Sequence, residues 1–107
     1  MNLRQIHHVA IIVSDYKKSR KFYVETLGFQ IIRENYRPSR GDYKLDLKLE
    51  GCELELFSAS GNPPRPSYPE ACGLRHLAFR VDDVDAAIAE LREKGIETEP
   101  VRVDEFT

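Results

Sequence analysis

The sequence predicts an α+β fold made of paired modules, of which the second is incomplete. Its first part contains apolar patterns in the order β-α-β-β-β. The stretch 59–72 contains four prolines and a glycine, which is typical of a linker. The opening pattern then returns, because HHVAIIVSD at 7–15 aligns with RHLAFRVDD at 75–83. We therefore expect a first βαβββ module at 1–58, a linker at 59–72, and an incomplete second module with the order β-α-β at 73–107.

The first module begins with a strand and a helix. Residues 6–13 are apolar and rich in β-branched side chains, which indicates a largely buried strand. Asp15 is a suitable helix N-cap, and the helix that starts at Tyr16 should end at Gly28. Residues 29–34 then predict the second strand.

Two further strands follow a loop at 35–42, and both alternate between apolar and polar residues. In the third strand, Lys44, Asp46 and Lys48 alternate with Tyr43, Leu45, Leu47 and Leu49. The fourth strand, CELELF at 52–57, has the same period of two. We expect the leucines of both strands to pack against the helix.

The second module repeats the first as far as its second strand. Residues 74–81 predict a strand, Asp83 caps a helix, and residues 96–103 predict a last strand that Pro100 weakens. Nothing corresponds to residues 43–57, and a sheet edge would remain unpaired. We therefore expect these residues to be a truncated or partly observed form of a protein roughly 20 residues longer.

Composition excludes several classes of function. The 107 residues carry 16 basic and 18 acidic side chains, so no excess positive charge favours nucleic acid. No apolar run approaches the length of a membrane helix. Two cysteines form neither a disulfide framework nor a zinc knuckle. These features favour a cytoplasmic protein with a small-molecule substrate, without nucleic-acid or membrane partners.

Two histidines and a carboxylate are candidate metal ligands. If the bulky residues of the strands face the helices, His8 and His76 lie on the opposite face at equivalent positions of the two modules. Glu53 and Glu55 share that face. Two imidazoles and one carboxylate suit a divalent metal ion. A histidine in an apolar strand is more often a core residue, and Glu53 remains an alternative to Glu55. His7 should face the helix or the strand margin, so it is left out.

Three basic residues are candidate substrate ligands. Lys44, Lys48 and Arg80 should lie on the same face as the histidines, where they could bind a carboxylate or phosphate. Solvated charges on an open sheet are an equally good interpretation of the lysines.

The pattern resembles the vicinal oxygen chelate superfamily, which includes glyoxalase I (lactoylglutathione lyase), bleomycin and fosfomycin resistance proteins, methylmalonyl-CoA epimerase and extradiol dioxygenases. The resemblance rests on HVAIIVSD at 8–15, Phe22-Tyr23, Leu27-Gly28-Phe29, Glu55-Leu56 and HLAFRVDD at 76–83. It implies paired modules whose curved sheets form an open barrel around a metal ion. The ligands would be His8, Glu55, His76 and a glutamate at about position 123, beyond the end of this chain.

The resemblance further implies a metal-dependent lyase or isomerase. Such an enzyme isomerises a hemithioacetal or similar small oxygenated substrate through a metal-bound enediolate. The expected metal ion is nickel or zinc, and manganese, iron or cobalt are alternatives. Glu55 or the glutamate of the second module would be the catalytic base. A homodimer is expected by the same analogy.

Two departures from the family pattern put the substrate in doubt. Ile12 and Ala59 stand where bacterial glyoxalase I enzymes usually have an arginine and an asparagine that hold glutathione. They argue against glutathione as the thiol, or for another way of binding it. The alternative enzymes are an epimerase, a thiol transferase or a ring-cleaving dioxygenase, the last of which is usually a much longer protein. A non-catalytic protein that sequesters a drug or another small molecule is the alternative outside enzymes.

Overall fold

The computed structural model describes residues 1–106. Residues Met1–Ala71 form one compact unit, and a second unit begins at Cys72. The boundaries between the first module, the linker and the second module, after residues 58 and 72, stay a prediction.

The first unit has the order βαβββ, as the sequence predicts. Its elements are β1 (His8–Ile12), α1 (Tyr16–Arg20) with a π-helical continuation (Lys21–Thr26), β2 (Gln30–Arg37), β3 (Asp42–Leu49) and β4 (Cys52–Ala59). The four strands form one open mixed sheet in the order β1-β4-β3-β2. The first strand runs parallel to β4, and the other neighbours are antiparallel. The β1–β4 pairing places the first strand beside the last, and this determines the position of the candidate site.

The helix begins where the sequence predicts but does not remain an α-helix. The Asp15 carboxylate accepts a hydrogen bond from the Lys18 amide at 3.1 Å, which caps α1. Beyond Arg20 the chain widens into a π-helix, whose last turn is closed by a 2.9 Å bond from the Leu27 amide to the Phe22 carbonyl. The predicted single α-helix is therefore corrected. Tyr23 and Val24 of the wider segment both pack on the core.

The core lies between the helix and one face of the sheet. Leu45, Leu47, Leu54 and Leu56 are fully buried. Leu45 is paired with Leu56 and Leu47 with Leu54 across β3 and β4. This is the apolar face that alternation predicts, and the polar residues between these leucines consequently occupy the opposite face. We call that opposite face, which carries His8, Glu53, Glu55 and Lys44, the site face.

An ion pair joins the helix to β2 at the edge of the sheet. Arg20 Nε lies 2.7 Å from Glu34 Oε2, and the Tyr16 hydroxyl donates a hydrogen bond to the same carboxylate. The hydrogen bond from Arg20, and then that from Tyr16, lower the pKa of Glu34 below its ordinary value. Burial, and then the hydrogen bond to Glu34, raise the pKa of Tyr16, whereas Arg20 lowers it in part.

We expect the stabilisation from Glu34 to disappear in acid. Because the folded pKa is lowered, the stabilisation is present above the unfolded pKa of about 4.3 and is lost as pH falls through the folded pKa. Glu34→Gln should therefore reduce the free energy of unfolding more at pH 7 than at pH 3, as measured by urea denaturation. Glu25→Gln, on an exposed position of the π-helical segment, is the control. An equal loss at both pH values for Glu34→Gln would contradict the expected linkage.

In the second unit, α2 (Val84–Glu93) is capped by the Asp83 carboxylate, which accepts a 3.0 Å hydrogen bond from the Ala86 amide. The structure assigns no strand at 74–81 or at 96–103, and the β-α-β order predicted for 73–107 stays a prediction. A strand needs a hydrogen-bonded neighbour, and no ladder forms among residues 72–106. Apolar residues of the first predicted strand, including Leu77 and Phe79, are exposed.

The helices that the structure describes are too short and too polar to cross a lipid bilayer.

Candidate functional site

Parallel pairing of β1 with β4 brings His8 to Glu55. His8 is paired with Glu53 and Ala10 with Glu55, so all four residues point to the site face. His8 Nε2 lies 3.7 Å from Glu55 Oε2. The imidazole is 46% exposed and the carboxylate 17%, so a ligand could reach both groups from the same side.

The two groups fit a divalent cation. Two ligands of one ion at bond lengths near 2.1 Å are about 3–3.6 Å apart, close to the observed separation. Imidazole nitrogen and carboxylate oxygen are also the donors that nickel and zinc accept. Within residues 1–106, however, no three His, Cys, Asp or Glu side chains are assembled around one point. The third predicted ligand, His76, is an exposed residue of the second unit. The role of all three residues as ligands stays a prediction.

Lys44 lies on the other side of the Glu55 carboxylate. Its Nζ atom is 3.6 Å from Glu55 Oε1, whereas His8 approaches Oε2. The register of β3 with β4 places Lys44 opposite Phe57 and Lys48 opposite Glu53, so both lysines are on the site face. Glu55 is thus flanked by a cation and an imidazole, one at each oxygen.

A buried carboxylate that the sequence interpretation did not single out lies beneath this group. Asp46 is only 1% exposed and stands directly opposite Glu55 on β3. Arg33 Nε is 2.5 Å from Asp46 Oδ2. Lys44 Nζ is 3.0 Å from Oδ1 but is aligned for a hydrogen bond only with Oδ2, at 3.2 Å. Asp46 Oδ1 therefore has an ion pair without a hydrogen bond. The sequence signal that could have identified Asp46 is its position between Lys44 and Lys48 in the alternating strand.

His7 was left out as a site residue, yet it contacts His8. The two Nδ1 atoms are 3.0 Å apart, and the rings meet edge to face. One of these nitrogens must carry the proton that the other accepts. With Nδ1 engaged in this way, His8 presents Nε2 to Glu55. The sequence offered only the adjacency of the two histidines as a signal. His7 precedes β1, which begins at His8, so strand alternation does not predict this contact.

An apolar pair of residues and an ion pair lie on the site face near the carboxylates of Asp46 and Glu55. Ile12 is paired with Phe57 across β1 and β4, so the residue that replaces the family arginine faces the site beside an aromatic ring. The Arg37 guanidinium lies 4.9 Å from the centre of the Phe57 ring and forms an ion pair with Asp42 at 2.5 Å. The hydrogen bond from Arg37 lowers the pKa of Asp42.

Arg80 differs from the two lysines in its placement. It is an exposed residue of the second unit, and the strand that was expected to orient it is not formed. Its role in binding a substrate stays a prediction, as do those of Lys44 and Lys48.

Comparison with known proteins assigns this chain to a family. Residues 5–107 match the Glyoxalase/Bleomycin resistance protein/Dioxygenase superfamily. The chain belongs to this superfamily, which confirms the resemblance to the vicinal oxygen chelate proteins. A glyoxalase family protein from Enterococcus faecalis has a similar crystal structure, with a TM-score of 0.93 and 59% identity over 100% of this chain and 85% of that one. The predicted glyoxalase-type fold class is thereby confirmed.

Three curated relatives differ in identity to this chain and in what their names say. The uncharacterized protein YwkD of Bacillus subtilis is 60% identical over 100% of this chain and 84% of that protein. Human mitochondrial methylmalonyl-CoA epimerase is 31% identical over 89% of this chain and 56% of its own length. A probable lactoylglutathione lyase of Synechocystis is 31% identical over 82% of this chain and 68% of that protein.

Proposed function

We propose that the protein is a metal-dependent lyase or isomerase of the glyoxalase I type. It would move a proton between adjacent carbons of a hemithioacetal or a similar small oxygenated substrate. The observation that carries the proposal is the approach of His8 Nε2 to Glu55 Oε2 at 3.7 Å on the site face. His8, Glu55 and His76 would hold one divalent ion, with nickel or zinc preferred. When bound, the ion supplies Lewis-acid stabilisation of the negative charge that develops on the substrate oxygens.

The residues around Glu55 suit it as the proton carrier. Its carboxylate is largely shielded from solvent but accessible from the site face. Lys44 at Oε1 and His8 at Oε2 hold the carboxylate in one orientation. A base in a fixed orientation within reach of the substrate is the requirement for proton transfer. Lys44, Lys48 and Arg80 are the proposed contacts for a substrate carboxylate or phosphate, and Ile12 with Phe57 forms an apolar wall.

An epimerase is the second candidate, and two positions favour it. Ile12 and Ala59 cannot replace the polar groups with which bacterial glyoxalase I enzymes hold glutathione. A relative named as methylmalonyl-CoA epimerase matches most of this chain. An epimerase would use the same proton carrier, because it also removes and returns a proton beside a carbonyl group. A thiol transferase and a non-catalytic small-molecule binder remain the further alternatives. A homodimer in the cytoplasm stays part of the proposal.

The metal content of the purified protein tests this function. We expect about one divalent ion per site by elemental analysis, paired with intact mass, and loss of that ion in His8→Ala because a nitrogen ligand is removed. His7→Ala is the matched control, since it removes the neighbouring imidazole that contacts His8 but not Glu55. It should retain the ion at saturating metal concentration.

The same measurement separates the enzyme from the binder. Retention of the ion by His8→Ala would remove His8 from the ligand set. Failure of the wild-type protein to take up added nickel, zinc, manganese or iron would overturn the metal-dependent function. In that case, unchanged small-molecule affinity in His8→Ala and His76→Ala would identify a binding protein.

A further inference from the structure

Two carboxylates face each other at the centre of the site face. Asp46 and Glu55 are directly opposite in the β3–β4 register, and like charges in such a pair destabilise a sheet. Asp46 is also almost completely buried, which makes an uncompensated charge there still more costly. A compensating cation between the two strands is therefore required.

Lys44 supplies that cation to both carboxylates. Its Nζ atom is 3.0 Å from Asp46 Oδ1 and 3.6 Å from Glu55 Oε1. Arg33 adds a second positive charge at the opposite oxygen of Asp46. Arg33 is shared with Glu53, whose carboxylate lies 3.6 Å away. Of these two cations, Lys44 is the one that contacts the carboxylate proposed to bind metal.

We propose that Lys44, positioned by Asp46, is the resident counter-cation of Glu55 and weakens the binding of a divalent cation to the site. The inference rests on the proposed metal centre and concerns its affinity. An incoming divalent ion meets the repulsion of an ammonium group on the far side of the same carboxylate. It also finds Oε1 engaged by Lys44, so that Oε2, the oxygen facing His8, is the one available to it.

Replacement of Lys44 tests the proposal through metal affinity without any substrate. Zinc dissociation constants would be measured on the full chain by competition with a chromogenic chelator. Lys44→Met should bind zinc about tenfold more tightly, because it removes a positive charge next to a ligand. Lys44→Arg keeps the charge and should remain within about threefold of wild type.

Lys48→Met is the matched control. It removes the same charge from the same strand and face, but Lys48 stands opposite Glu53 rather than beside Glu55. Equal zinc affinities in Lys44→Met and Lys48→Met would overturn the proposal. Zinc binding by wild type with no tightening in Lys44→Met would overturn this inference alone. If neither the wild-type protein nor Lys44→Met binds zinc, both the proposed metal centre and this inference are overturned.

Asp46→Asn tests the positioning role of the buried carboxylate. If Asp46 positions Lys44 at Glu55, Asp46→Asn should weaken zinc binding less in the wild-type background than in Lys44→Met. In the wild-type background the loss of the Asp46 charge is partly offset, because the ammonium group is no longer held at Glu55. Equal weakening in both backgrounds would show that Asp46 acts only through its own charge and would overturn its positioning role. Should Asp46→Asn fail to fold, the Lys44 series still tests the counter-cation.

Discussion

Replacing Glu55 with glutamine should lower kcat/KM for the proposed proton transfer by about 10²–10⁴-fold, the usual contribution of a general base. Glutamine has nearly the shape of glutamate but can neither accept the substrate proton nor carry a negative charge towards His8. The same substitution should weaken metal binding, since an amide oxygen is a poorer ligand for nickel or zinc than a carboxylate. Activity would be screened with hemithioacetals of several thiols, and proton exchange would be followed by NMR in deuterated water.

Glu53→Gln is the matched control, because Glu53 lies on the same strand and the same face, two residues away. Its carboxylate is 3.6 Å from Arg33, whereas Glu55 approaches His8 and Lys44. We expect Glu53→Gln to retain activity within about threefold, which is less than the loss of one good hydrogen bond. A large loss for Glu53→Gln with little loss for Glu55→Gln would assign catalysis to the other carboxylate. Circular dichroism would verify that both variants fold.

The largest effect on stability is expected at the centre of the sheet. Leu56→Ala should lower the free energy of unfolding by about 2–5 kcal/mol, because it leaves a cavity where the side chain is completely buried. Leu56 is paired with both Leu45 and Ile11 on the neighbouring strands, so the loss affects three strands at once. Urea denaturation followed by circular dichroism measures the difference.

Ile12→Ala is the control for this prediction. Ile12 follows Ile11 in β1 but points to the site face and is 68% exposed. Its truncation should change the free energy of unfolding by only about 0.5 kcal/mol, as is usual for surface positions. A loss below about 1 kcal/mol for Leu56→Ala would contradict the packing described for the core.

Strand alternation predicted which residues share a face, and the structure confirms this for the first unit. In β4, Leu54 and Leu56 are buried under the helix, while Glu53 and Glu55 point to the site face. This succeeds because the direction of successive side chains in a strand is a local property of the backbone. The same reasoning places His8 and Lys44 on the site face, although it assigns them no partners.

Features that depend on neighbouring elements were not predicted. The segment 74–81 repeats the pattern of the first strand, yet it forms no ladder, because a strand exists only with a hydrogen-bonded partner. The change to a π-helix after Arg20 was also missed. The hydrophobic stripe of that helix does not distinguish a slightly wider turn from an ordinary one.

For this protein, local chemistry in the chain was sufficient to predict the βαβββ order, the leucine core and the two candidate groups His8 and Glu55. The superfamily was predicted from the resemblance of its motifs to those of known proteins. The 3.7 Å approach of those groups follows from the parallel pairing of β1 with β4, which are about 45 residues apart in the chain. The burial of Asp46, its contacts with Arg33 and Lys44, and the contact of His7 with His8 likewise came from the assembled sheet. The reason is physical: periodicity sets the direction of each side chain, but register and packing decide which charges meet.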